Sequence, residues 1–384
     1  MIKIIITFLS YIFILFNFNL VADENDKKLR IGLLAPFSGA YKNLGESLLL
    51  STQLALEEIN DKNIIIIPRD SGTNDKDKLN SAIKEIINNG AKVIIGPMTS
   101  SSADELKKYK ETIFISLSNK ETHITNNVIN VGISLESQLK AIELFLIKQN
   151  KNKTIVLYPK NEYEKFVEEK IKSIKLKKFK VFKYSADPRI LTGEIEKLTN
   201  YSKRKKNLEK RKKFLEKQDN ARSERELENL KNLYTLGSVD FDSVIIIDFG
   251  SSLKSVLASL IFSDVDDELI TITTVNQWFD ENIFRGNSVK NLYFPSVDMK
   301  QFKKYNKNYY KTFSQKPDEI TILSYDALGL IYYVWSKNNG INTINDFLIS
   351  KKIRGKIGTF EFKNNKVFQQ LKMYKTQNGK FKEF

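Results

Sequence analysis

The 384-residue chain has no cysteine and a single histidine, His123. Without cysteine there is no disulfide, no thiolate zinc site and no thiol nucleophile. It also leaves no residue to carry a lipid after an export signal. One histidine and no cluster of metal-ligand spacing leave little for acid–base or nucleophilic chemistry. The nucleophile elbow G-x-S-x-G, the phosphate-binding P-loop and the dinucleotide fingerprint G-x-G-x-x-G are all missing. No catalytic residue, metal or cofactor is therefore assigned, and the chain reads as a non-enzyme. Only 7 prolines and 16 glycines punctuate it, so those that occur carry weight as turn markers.

Other quantities are abundant. Hydrophobic residues make up 41% of the chain, enough for real cores. The net charge is +16. Lysine is spread throughout, and no basic-aromatic module of a nucleic-acid-binding type stands out, so no nucleic-acid partner is assigned. Residues 1–22, MIKIIITFLSYIFILFNFNLVA, place Lys3 before an apolar run that ends at Ala22. This is the pattern of an export signal peptide. The run is also long enough to serve as an uncleaved N-terminal anchor.

From Leu29 onward the pattern is strand, turn, helix, repeated. LRIGLLAPFSG leads into a helix with Leu48, Leu49, Thr52, Leu56 and Ile59 on one face. Strands follow at 63–72, 93–95, 112–119 and 128–134, with helices between them. The series restarts at KTIVLYPKNEY (153–163) and continues through FDSVIIIDFG (241–250) and LITITTVNQW (269–278). Two βα series predict an α/β fold of two doubly wound Rossmann-like lobes, with ligands at the carboxyl ends of the strands. The turn Pro36–Gly45, which includes Ser38, would line that cleft. Ser101 or Ser102 could cap the helix that follows the third strand.

Residues 200–234 interrupt the rhythm. They hold 12 Lys/Arg against 6 Asp/Glu and no Gly or Pro. Leucines at helical spacing predict two charged helices bent near Asp219-Asn220, as a solvated hairpin or as an arm that docks on an anionic surface or a protein. At the C-terminus, alternating residues around Asn364-Asn365 predict a β-hairpin.

IGLLAPFSG with GESLLLSTQLALEEIN, VIIGPMTSSSA, SYDAL and the closing IGTFEFKNN, in this order, resemble the leucine/isoleucine/valine-binding type of periplasmic solute-binding protein. The resemblance implies a type I periplasmic binding fold. Its expected division is lobe 1 at 28–135 and 276–338, and lobe 2 at 136–275 and 339–384, with the hairpin in lobe 2. It implies a small, polar, amino-acid-like ligand, a membrane permease of an ABC transporter as partner, and a periplasmic location. By the same resemblance, the expected ligand-binding residues are Ser38, Ser100, Ser101, Ser118, Asn119, Lys120, Tyr163 and Asn276. In the family an acidic residue pairs with the ligand ammonium; here its region reads Val275-Asn276-Gln277-Trp278. The charged insert and VNQWFD also look like the penicillin-binding-protein activator branch of the same superfamily. That branch implies the alternative of a non-transport regulator of peptidoglycan synthesis, with a cell-wall synthase as partner.

Overall fold

A computed structural model describes residues 28–98, 103–119, 127–218, 220–275, 278–279, 289–363, 366–377 and 379–384. The chain forms two compact units. The first holds residues 28–117, 127–129 and 324–347; the second holds 118–119, 130–323 and 348–384.

In the first unit, β1 (Leu29–Ala35), β2 (Ile64–Asp70), β3 (Val93–Ile95), β4 (Ile113–Ser116) and β5 (Val128–Asn130) form one sheet in the order β2-β1-β3-β4-β5. β1 runs parallel to both β2 and β3, and β3 parallel to β4. The buried strands β1, β3 and β4 are near-continuous apolar runs, as a sheet covered on both faces requires. Two helices fill the first crossovers: α1 (Lys42–Ile59) and α2 (Lys76–Asn88). A short helix, α3 (Ala103–Leu106), precedes β4. α2 starts where Asp75 accepts from the Lys78 amide at 2.9 Å, and it buries Leu79, Ala82, Ile83 and Ile86 against Leu34, Ile67 and Ile94.

The second unit repeats the winding. After α4 (Leu135–Lys148), β6 (Thr154–Pro159) is followed by α5 (Glu164–Ile171), β7 (Phe179–Tyr184) and α6 (Pro188–Leu198). α6 is absent from the sequence reading, although Asp187 caps it and Pro188 opens it. The charged segment then forms α7 (Tyr201–Leu215) and α8 (Ala221–Leu230), the expected inserted hairpin. β8 (Ser243–Ile246), α9 (Gly250–Phe262) and β9 (Thr271–Thr274) resume the series, and β10 (Leu292–Ser296) and α10 (Met299–Phe313) follow; α11 (Ile322–Asn338) belongs, from Ser324 on, to the first unit. β11 (Ile353–Arg354), β12 (Thr359–Lys363) and β13 (Lys366–Gln370) make a small antiparallel sheet. Within it β12 pairs with β13 as the hairpin expected around Asn364-Asn365. β14 (Lys372–Gln377) and β15 (Lys380–Glu383) join the large sheet, whose order is β15-β14-β10-β9-β8-β6-β7.

The first sheet is wound 2-1-3-4-5, and the second repeats that order over β6–β10 before β14 and β15 extend it. The topological switch points therefore fall between β1 and β3 in the first unit and between β6 and β8 in the second. The compact units depart from the expected lobes at 118–119, 130–135, 278–279 and 339–347, and over a longer stretch, 289–323, expected in lobe 1 and found in the second unit. β10 pairs in parallel with β9 and antiparallel with β14, so its backbone bonds tie this stretch to the second sheet.

Candidate functional site

At the switch point of the first sheet, the loops after β1, β2 and β3 enclose a cavity of about 500 Å³, within the range of small-molecule sites. Its apolar walls are Pro36, Tyr41 and Leu44 on one side, Leu79 of α2 below, and Pro97 and Met98 after β3. Ser71, Gly72, Thr73 and Asn74, from the loop after β2, supply the polar rim.

A network of hydrogen bonds holds this rim. The Asp70 carboxylate, at the end of β2, accepts from the Phe37 and Gly72 amides at 2.9 Å each. Lys78 Nζ lies 2.6 Å from the same carboxylate and donates to Ser38 Oγ at 2.8 Å. Burial pushes the Asp70 carboxyl up, but the Lys78 ammonium, the Ser38 hydroxyl and the two amides outweigh it and hold it down to about 2. Asp70 thus clasps the β1 and β2 loops together while remaining charged. Two glycines allow the close packing behind it. A Cβ on Gly45 of α1 would lie 2.1 Å from the Pro36 carbonyl oxygen, and one on Gly96 would lie 2.2 Å from that of Leu34. Gly96 also has φ +107°, a backbone that only glycine adopts freely.

One polar atom in the cavity wall is unsatisfied. Thr73 Oγ1 is buried and has no hydrogen-bond partner among the described residues. A buried hydroxyl without a partner costs free energy, and here Thr73 Oγ1 is covered beside Gly39.

The sequence-predicted residues fall as follows. Ser38 lies at the rim, its hydroxyl engaged by Lys78. Ser100, Ser101, Lys120 and Asn276 lie outside the described residues; Met98, immediately before the Ser100 loop, lines the cavity. Ser118 is buried just beyond β4, and Asn119 is exposed. Tyr163, in the second unit, precedes α5, is 44% exposed and donates its amide to Asn161 Oδ1 at 2.9 Å. Glu164, next to it, is paired with Lys183 Nζ at 2.7 Å, and Lys183 also pairs with Glu168. These carboxylates raise the Lys183 ammonium above its ordinary value.

Asp70, Lys78 and Thr73 were missed as site residues. Their only sequence signal was a polar Asp-Ser-Gly ending a strand. Asp248, at the end of the β8 segment, is a second carboxylate at a switch point. Its lone pairs are taken by the Phe249 amide at 2.8 Å, Ser252 Oγ at 2.5 Å and the Tyr184 hydroxyl. Its hydrogen bonds knit β7, β8 and α9. Among the described residues no group of three or more His, Asp or Glu could hold a metal ion.

Residues 28–174 match the family model described as periplasmic binding protein. The fold is that of the periplasmic binding proteins. A putative branched-chain amino acid ABC transporter protein from Rhodospirillum rubrum aligns with 93% of this chain and 100% of its own, at 12% identity and a TM-score of 0.71. An ABC transporter substrate-binding protein from Desulfitobacterium hafniense, solved with Leu, aligns with 93% and 100% at 14% identity and a TM-score of 0.61. The branched-chain amino acid substrate-binding protein LivJ of Streptococcus pneumoniae, solved with isoleucine, aligns with 93% and 98% at 16% identity and a TM-score of 0.57. No curated protein matches the chain. At such identities the likeness concerns fold.

Proposed function

We propose that this chain is a periplasmic solute-binding protein that takes a small polar, amino-acid-like ligand for ABC-type transport and catalyses no reaction. The observation that carries the reading is the cavity at the switch point of the first sheet, walled by apolar side chains and rimmed by the polar loop 71–74. Tyr41, Leu44, Leu79 and Met98 would contact an aliphatic or aromatic body. The loop 71–74 and the loop after β3, which includes Ser100 and Ser101, would take a polar head. Tyr163, Ser118, Asn119, Lys120 and Asn276 complete the proposed set.

The test is a thermal-shift and calorimetric screen of leucine, isoleucine, valine and small carboxylic acids. A saturable rise in melting temperature with at least one of them is expected, lost on filling the cavity with Leu79→Trp in a variant that still melts cooperatively. A folded chain stabilised by no member of the panel sinks the reading. The alternative, a regulator of peptidoglycan synthesis without a transported ligand, is favoured by one observation, the hairpin inserted between α6 and β8. The same screen separates the two, because that role needs no small ligand.

A further inference from the structure

The hairpin α7–α8 is anchored by its inner face. Arg204, only 5% exposed, donates through Nε to the Thr199 carbonyl at 3.1 Å and through Nη1 to that of Asp264 at 3.1 Å, with Nη2 on Ser263. Leu208, Leu215 and Leu230 form a small core of their own, and Arg211 pairs with Glu226 across the two helices at 2.6 Å.

The outer face of α7 has a different character. Lys203, Lys206, Lys210 and Lys213, then Lys217 in the turn that follows, recur at spacings of three and four residues, and all are exposed. At about 100° per residue they fall within an arc of about 80°, opposite Arg204, Leu208 and Leu215. At about 1.5 Å per residue the row is about 21 Å long. No carboxylate falls within that arc, though Glu209 and Glu216 flank it, and none of the five has an ion-pair partner among the described residues. Neighbouring like charges at these spacings repel and weaken a helix. Phe214, 51% exposed, borders the row.

We propose that this lysine row is a docking surface for an anionic phospholipid bilayer. The inserted hairpin lies outside both sheets, and a self-repelling row is relieved by a negative partner. Lysine ammonium groups are hydrated point charges that fix no bidentate geometry. A straight row of them, with one exposed aromatic ring and no pocket, suits a planar field of headgroups better than the shaped patch of a protein.

The experiment is co-sedimentation of residues 28–384, which contain every described element of both units, with vesicles rich in phosphatidylglycerol or made only of phosphatidylcholine. Binding to the anionic vesicles alone is expected, weakening as salt rises. K206E/K210E/K213E should bind about a hundredfold more weakly, since each lysine near an anionic surface contributes roughly a factor of five to ten. K303E/K307E/K311E, on the lysine-rich outer side of α10, changes net charge equally and should keep most of the affinity. α10 earns its place in the fold through buried Phe302, Tyr305 and Tyr309, and so serves as the comparator. Equal loss in both triple variants would show diffuse charge and overturn the proposal. So would unchanged binding by the first variant, or binding of the wild type to a soluble acidic protein or polymer but not to vesicles. Melting curves of both variants verify folding, since only exposed side chains are altered.

Discussion

Asp70 is where residue chemistry and site geometry meet. Its carboxylate joins two loops because it accepts two amides and faces an ammonium. Its pKa in the folded chain lies near 2, below the ordinary 3.8. A depressed carboxyl stabilises the fold above its unfolded pKa and loses that contribution as pH falls towards its folded one. The stability gap between wild type and Asp70→Asn, read from urea unfolding, should therefore be full at pH 7. It should shrink between about pH 4 and pH 2. Solvent screening of this partly exposed group keeps the gap near about 1 kcal/mol. Gly45 poses a contest of two effects. Alanine gains about 1 kcal/mol of helix propensity, but its Cβ would sit 2.1 Å from the Pro36 oxygen. Overpacking of that kind costs about 1–3 kcal/mol, so Gly45→Ala should destabilise in denaturant titrations and weaken ligand binding at the adjacent cavity wall.

At the scale of elements, the hairpin shows how burial changes the meaning of a charge. In a segment of twelve basic residues, helical spacing puts Arg204 on the face of Leu208 and Leu215, but it does not say what the guanidinium meets there. Tertiary structure places it over the carboxyl ends of α6 and α9, where three carbonyls lack helical partners. Burial lowers its pKa from the ordinary value. Arg204→Met should leave these carbonyls unsatisfied, at about 1–3 kcal/mol for each that stays buried. Hydrogen exchange should then accelerate across 200–236 while β6, β8 and β9 stay protected. Arg204→Lys should restore little, because one ammonium cannot reproduce the fork. Uniform acceleration over the whole second unit would refute this local role. α6 teaches the converse. Its signal, Asp187 then Pro188, is two residues long and stands beside a long charged segment that dominates the local pattern.

For the whole molecule, the repeated winding is the central fact. Two sheets that share the 2-1-3-4-5 order over their first five strands each create a switch point, and in the first a cavity opens there. A ligand that binds only the folded chain at a hundredfold excess over its Kd should stabilise it by about 2.7 kcal/mol. Hydrogen exchange should slow at 36–45 and 70–79 in the same sample. Slowing elsewhere with none in these two segments would move the site away from this cavity. Among the described residues no helix is long and apolar enough to cross a membrane.

The sequence by itself determined the class of fold. Hydrophobic runs, turn residues and helical spacing are local properties, so the βα alternation, the restart near Lys153, the charged hairpin and the pairing around Asn364-Asn365 were all legible in it. Strand order was not, because neighbours in a parallel sheet are joined by crossovers and their pairing is a long-range choice. That choice moved 289–323 into the second unit, where β10 finds its hydrogen bonds on β9 and β14. The candidate site was legible only as loops at strand ends. Only the tertiary structure made Asp70 a clasp, left Thr73 without a partner and gave the Arg204 guanidinium its carbonyl partners. Each depends on which groups from distant segments come within 3–4 Å, and no periodicity in a chain encodes that.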